Sequence, residues 1–404
     1  MKTTIKPYRL FATAGVVSLI LIYIILWVKT INDPKLITGS DFIAFYTAGR
    51  ISLSGNLSNV FNPAVQQAGE ENILGFSIMP NDLNPFVHPP FILPLLALLA
   101  SFSYVLAFHI WALILICLYI ISALFLYRIV PQLENRSLIL LGTVLFFPAF
   151  VSILNGQDSA LLLFGCSIWL YGLMQEDDRL AGIGLALATI RPHIALILAL
   201  PFLFRRQKVW WWFLGCTVAL VVFCIMLIGV DGVKSFLSIL SLSAQGQGYK
   251  INEQAMVNLI GLIRRIDPAS TSGQVFLPGW IFYGLGITAL CLIWAGSNEI
   301  KEMQVGLAVI ISLLTAPHLH YHDLVLLLIP IFCIMRLFSR SRIISNANLA
   351  LLPLITSWLL LISDIHNFLW YNMPYLLYMV LGYILLFPGQ STRLLGSRKG
   401  DANV

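Results

Sequence analysis

The chain has 404 residues, 59% hydrophobic and only 10% charged, with a formal net charge of +6. So few charges cannot cover a globular surface, which excludes a soluble protein, and apolar runs of helix-spanning length recur from end to end. The basic residues sit in short clusters between those runs rather than along one face, which excludes a nucleic-acid-binding surface and marks them as topology signals.

Lys2, Lys6 and Arg9 precede an apolar run from Leu10 to Val28. No small-x-small cleavage site follows it, so a retained first helix with a cytoplasmic N-terminus is expected. Further spans are predicted at about 104–127, 137–154, 158–174, 180–191, 192–204, 209–229, 275–296, 303–316, 322–338, 347–363 and 369–388, about twelve in all. Several fall short of the roughly 20 residues of a full crossing, which implies helices tilted or broken beside a cavity. The expectation is an all-α polytopic membrane protein, a single integral-membrane domain over residues 1–404. All six cysteines lie in apolar segments, without disulfide or metal-ligand spacing.

The first loop, 29–103, carries Gly39-Ser40-Asp41-Phe42 near its start and His88-Pro89-Pro90 near its end. Pro89 to Phe102 is apolar, proline-punctuated and about a dozen residues long, and is predicted to lie in the outer interface without crossing. With that assignment the positive-inside rule places both termini in the cytoplasm, and the polar motifs on the extracytoplasmic face of a plasma (inner) membrane.

Asp41 is a carboxylate just outside the hydrocarbon, beside aromatics that can bed a sugar, and is a candidate general base for chemistry on a lipid-borne substrate. Ser40 or Asp41 also stands where a helix N-cap is expected. Phe42, Phe45, Tyr46 and Gly49 share one helical face, open to packing or to an isoprenoid tail. His88 either marks a structural corner or faces the cavity. Asn155-Gly156-Gln157-Asp158 reads as a tight turn, in which Gln157 bonds sugar hydroxyls or closes the turn.

Arg191 lies where a span breaks at Pro192. A guanidinium at membrane depth needs an anionic partner, either a lipid-linked phosphate or a structural pair with Asp158 or another carboxylate. His193 adjoins it as a second donor or as a satisfied core residue. Val230 to Ala255 is expected as a loop.

The run His318-x-His320-x-His322-Asp323 has zinc-ligand residue types. Alternate positions share a face only on an extended segment, however, and this run opens a span, so hydrogen bonds to a phosphate, or a plain loop, are favoured over a metal.

Taken in order, Asp41-Phe42 with Tyr46-Thr47-Ala48-Gly49, Gly55, His88-Pro89-Pro90, Gly156-Gln157, Ala188-Thr189-Ile190-Arg191-Pro192 and Arg205-Arg206 resemble glycosyltransferase family 87. The resemblance covers most of the first 210 residues and thins beyond residue 230 to Pro317–His322. The family more often has lysine where Arg191 stands and a small or apolar residue where Asp158 stands.

The resemblance implies a GT-C-type helix bundle with juxtamembrane helices in the first extracytoplasmic loop, its core module in 10–230 and more variable helices in 231–404. It also implies a polyprenyl-phosphate-linked donor of a mannose- or pentose-like sugar, a lipid or glycan acceptor, surrounding membrane lipids, and no metal or other cofactor. Transfer would be inverting, with Asp41 as the catalytic base and Arg191, His193, His318, His320, His322, Tyr46, His88, Gln157 and Asp158 on the donor phosphate and substrate. A lipid or sugar transporter or flippase is the competing class, since broken helices and a mid-depth arginine serve it equally.

Overall fold

The computed structural model describes residues 7–33, 36–37, 40–133, 135–246, 252–297, 299–341, 345–366 and 373–386; Lys2, Lys6, Gly39 and the end of the last predicted span lie outside them. The helices are α1 Pro7–Asn32, α2 Phe42–Leu53, α3 Pro63–Leu74, α4 Leu93–Leu99, α5 Tyr104–Arg128, α6 Arg136–Val144, α7 Phe147–Asn155, α8 Ser159–Met174 and α9 Asp178–Leu187. They continue with α10 Pro192–Ala199, α11 Gln207–Ala244, α12 Leu259–Ile266, α13 Ser272–Ala295, α14 Glu302–Thr315, α15 Leu328–Ser341, α16 Asn346–Leu349, α17 Leu352–His366 and α18 Met373–Leu386. No strand occurs among the described residues.

Among the described residues, seven helical stretches are long and apolar enough to cross a membrane, and four shorter apolar helices accompany them, at Pro90–Leu99, Ser159–Met174, Pro192–Leu203 and Glu302–Thr315. The protein is therefore an all-α polytopic membrane protein. Its helices bury narrow stripes. On α5, Ala107, Phe108, Trp111, Leu115, Tyr119 and Leu126 turn inward at helical spacing, while Leu106, Leu113 and Ile120 stay exposed, the pattern of a helix with lipid along one side. In contrast, α8 is buried almost all round and packs between α5 and α9.

Pro89 to Phe102 forms a 3-10 turn over Pro90–Ile92 followed by the seven-residue α4. It lies against α2, where a Cβ on Gly49 would come within 2.3 Å of the Leu96 carbonyl oxygen. Only glycine permits that approach. The 3-10 turns Leu57–Asn59 and Pro90–Ile92 lie against α11, so the described part of the loop 29–103 is folded onto the bundle.

Two predicted spans are short, and one predicted loop is helical. The stretches 180–191 and 192–204 form the ten-residue α9 and the eight-residue α10, each extended only by a 3-10 turn. Val230 onward, expected as a loop from its polar residues, is helical to Ala244, and α11 passes through Gly229 at φ 68°, ψ 177°. The reason is amphipathic spacing. Ile228, Gly232 and Ile239 are buried, and the Phe236 ring lies 4.7 Å from that of Phe61, so packing onto the first loop outweighs the polar residues. All six cysteines are free.

Candidate active site

Asp41 occupies the N-cap position of α2 but makes no capping hydrogen bond with its side chain. Ser40 does not cap either, because its hydroxyl donates to the Ile37 carbonyl at 2.6 Å. Both Asp41 oxygens are instead turned to side chains. Gln157 Nε2 donates to Oδ2 at 2.8 Å, and Asn84 Nδ2 donates to Oδ1 at 3.2 Å. Each oxygen keeps acceptor capacity for a further donor.

The turn after α7 places Gln157. Gly156 ends the helix at φ 70°, a left-handed position natural to glycine. A Cβ there would lie 2.6 Å from Phe42 Cβ. The Gly156 carbonyl accepts from Trp111 Nε1 at 2.8 Å, and Ser152 donates to the Gln157 carbonyl at 2.9 Å. Gln157 is therefore pinned against the head of α2.

Arg191 reaches the same turn from the opposite side. Pro192 starts α10 at its first position, where its missing N–H costs nothing, and it drives Arg191 to φ −119°, ψ 85°. The guanidinium is tied on all sides: Nη2 lies 2.8 Å from Asp158 Oδ1, Nε lies 3.5 Å from Asp323 Oδ1, Nη1 lies 2.8 Å from His88 Nδ1, and Nη2 donates to Gln157 Oε1 at 3.5 Å. His88 Nδ1 also lies 2.9 Å from Asp158 Oδ2. The Nδ1–H tautomer donates to Asp158, and the other tautomer accepts from Arg191. Ser159 completes the group by donating to Asp323 Oδ1 at 2.9 Å.

Asp158 is fully buried. Burial disfavours its charge, but Arg191 and then His88 more than offset this and hold the carboxyl below the usual carboxylate range. The histidine run forms the next layer, on the irregular entry to the 3-10 turn Tyr321–Leu327. The His318 and His320 rings stand 5.0 Å apart and those of His320 and His322 5.9 Å apart, and His322 Nε2 lies 3.7 Å from Asp323 Oδ2. Burial, reinforced by His322, pushes His320 down to about 4, and burial together with His320 takes His318 well below the ordinary imidazole value. At neutral pH these two offer N–H groups rather than charge. His193 is buried beside Arg191 and His318.

The geometry thus brings Asp41, His88, Gln157, Asp158 and Arg191 together, with His193, His318, His320 and His322 along one side. Tyr46 is committed elsewhere. Its hydroxyl donates to the Phe102 carbonyl at 2.8 Å, and its ring packs edge-on to Tyr104. Two members of the cluster escaped the sequence reading, Asn84 on Asp41 and Ser159 on Asp323, as did the pairing of Asp323 with Arg191. Asn84 sits in a short polar stretch with no distinguishing spacing, and Asp323 carried a signal only as a fourth member of the histidine run. Among the described residues, no group of three or more His, Cys, Asp or Glu is arranged to hold a metal ion.

No curated protein matches the chain. The sequence profile of glycosyltransferase family 87 matches residues 86–317. That stretch begins later and runs further than the motifs suggested. It holds His88, Gln157, Asp158, Arg191 and His193, whereas Asp41 and Asn84 precede it and His318 to Asp323 follow it. The matched residues exceed half of the chain and include the buried Arg191–Asp158 pair at the centre of the bundle; the chain belongs to glycosyltransferase family 87 and is a membrane glycosyltransferase.

Proposed function

We propose that the protein moves a mannose- or pentose-like sugar from a polyprenyl-phosphate donor to a hydroxyl of a lipid or glycan acceptor, with inversion. The reaction takes place on the extracytoplasmic face of the plasma membrane, within a GT-C-type bundle whose termini are cytoplasmic. Asp41 is the general base. It takes the proton of the acceptor hydroxyl as that oxygen attacks the anomeric carbon from the side opposite the phosphate. The bond from that carbon to the phosphate oxygen breaks, and polyprenyl phosphate leaves with the bonding pair.

A phosphate monoester leaves without a general acid, so one base suffices, and its developing charge calls for positive potential and N–H donors. Arg191, held between Asp158 and Asp323, offers guanidinium N–H groups to that charge, and His193, His318, His320 and His322 supply further donors. The donor carries less charge than a nucleotide diphosphate, which removes much of the need for a metal. His88 and Asp158 hold Arg191 in place. Tyr46 stays outside this scheme, its hydroxyl being engaged by Phe102.

The observation that carries this reading is the Gln157 bridge. Its amide nitrogen binds Asp41 at 2.8 Å and its oxygen faces Arg191 at 3.5 Å, so base and cation hang on the two ends of one side chain. The test is incubation of the purified protein with a panel of polyprenyl-phosphate sugars and acceptor lipids, scoring free lipid phosphate. At least one donor is expected to release it, with the glycosylated acceptor appearing in equal amount. Movement of intact labelled lipid across vesicles without any release would favour a flippase instead.

A further inference from the structure

We propose that Glu70 is a positioning residue for Asp41, acting through Asn84, and that the charge of its carboxyl tunes proton transfer to Asp41. The proposal rests on Asp41 being the general base.

Glu70 lies on α3 and is only 2% exposed. Its Oε2 accepts from the Asn84 main-chain N–H at 3.3 Å, while Oε1 is buried without a hydrogen-bond partner. The side chain of the same Asn84 donates to Asp41 Oδ1 at 3.2 Å. One asparagine therefore joins two carboxyl groups, one through its backbone and one through its amide.

A merely structural clasp between α3 and this loop already exists one turn earlier. Gln66 Nε2 donates to the carbonyls of Val60 at 2.7 Å and Phe86 at 3.2 Å, and its Oε1 accepts from the Phe86 N–H at 2.8 Å. That neutral amide satisfies every group it meets. Glu70 repeats the contact with an acid and leaves one oxygen unsatisfied, adding to the buried polar group an ionisable charge that a purely structural contact does not need.

Glu70 and, on α2, Asp41 and Tyr46 share one titratable neighbour, Tyr104 of α5, whose phenol feels all three. None of these is a cation. Burial pushes the Glu70 carboxyl up to about 7, against the Asn84 hydrogen bond, which lowers it. The group thus ionises near neutral pH, and when it does it adds negative potential on the Asn84 side of Asp41.

The experiment is the pH–rate profile of sugar transfer for the full-length protein and its variants from pH 5 to 9, with kcat and KM separated. The wild-type rate is expected to rise with pH through about 7. Glu70→Gln is expected to lose that rise and to run on the order of tenfold slower above it, at unchanged donor KM. Asn84→Ala lowers kcat in the same way. A wild-type profile in Glu70→Gln overturns the proposal. If Glu70→Gln does not fold, Glu70→Asp decides, since it keeps an acid but withdraws it from Asn84: reduced kcat with a pH step retained supports the relay, and wild-type kcat overturns it. Asp41→Asn separates the two ideas. Its inactivity at every pH upholds the base whatever Glu70 does, and its activity removes the base itself.

Discussion

Arg191 and Asp158 form an ion pair at 2.8 Å in which the carboxylate is wholly enclosed. Removing one partner of such a pair strands the other charge, so Asp158→Ala is expected to cost about 3–5 kcal/mol of stability. Thermal unfolding in detergent measures it. A loss below about 1 kcal/mol would mean that Asp323 alone neutralises Arg191.

Gly156→Ala tests the turn rather than the charges. The substitution forces an L-residue to φ 70° and drives a methyl to 2.6 Å from Phe42 Cβ. A cost of about 1–3 kcal/mol is expected, together with loss of transfer as Gln157 shifts away from Asp41. Melting temperature and activity, measured on the same preparation, check both.

Asp41→Asn is expected to lower kcat by about 10²–10⁴-fold. Because the Asp41 side chain makes no cap hydrogen bond to α2, the melting temperature should stay close to that of the wild type. A parallel collapse of stability and activity would assign Asp41 a structural role.

The raised value of Glu70, about 7 against an ordinary 4.5, gives stability a definite pH dependence. The folded protein binds this proton more tightly than the unfolded chain, so the contribution is complete below about 4.5 and is lost as pH rises through about 7. Unfolding free energies of wild type and Glu70→Gln, compared across that window, isolate it. The wild type is expected to weaken relative to the variant as pH rises, and a constant difference would contradict the buried acid.

Orientation has its own measurement. Met79 is 68% exposed on the first loop, so Met79→Cys, with the exposed Cys117 replaced, is expected to react with an impermeant thiol reagent from outside intact cells. Labelling only after permeabilisation would reverse the proposed topology.

The class of fold was legible because it rests on composition and local spacing. Apolar runs gave the long helices, prolines gave the break at Arg191 and the short helix after His88, and a helix head was visible at Asp41. The continuation of α11 past Gly229 was obscured because its apolar positions gain their meaning only from Phe61, far away in sequence. The site was legible in its residue types but not in its pairings. Asp41 meets Gln157 across 116 positions, and Ser159 meets Asp323 across 164. Periodicity says nothing about such partners. The choice for Arg191 between a phosphate and a carboxylate was likewise a question of tertiary placement, and two aspartates now surround it.

Gly229, at φ 68° and ψ 177°, divides α11 into an arm over 207–228, about 33 Å at 1.5 Å per residue and close to the roughly 30 Å of hydrocarbon in a bilayer, and a second arm over 230–244. The arm beyond Gly229 carries Phe236 onto Phe61. The first arm is thus long and apolar enough to cross a membrane, while the second is braced against the loop that carries Asp41. Bilayer thickness and helix tilt, through the angle held at a single glycine, become mechanical inputs to how that loop is seated.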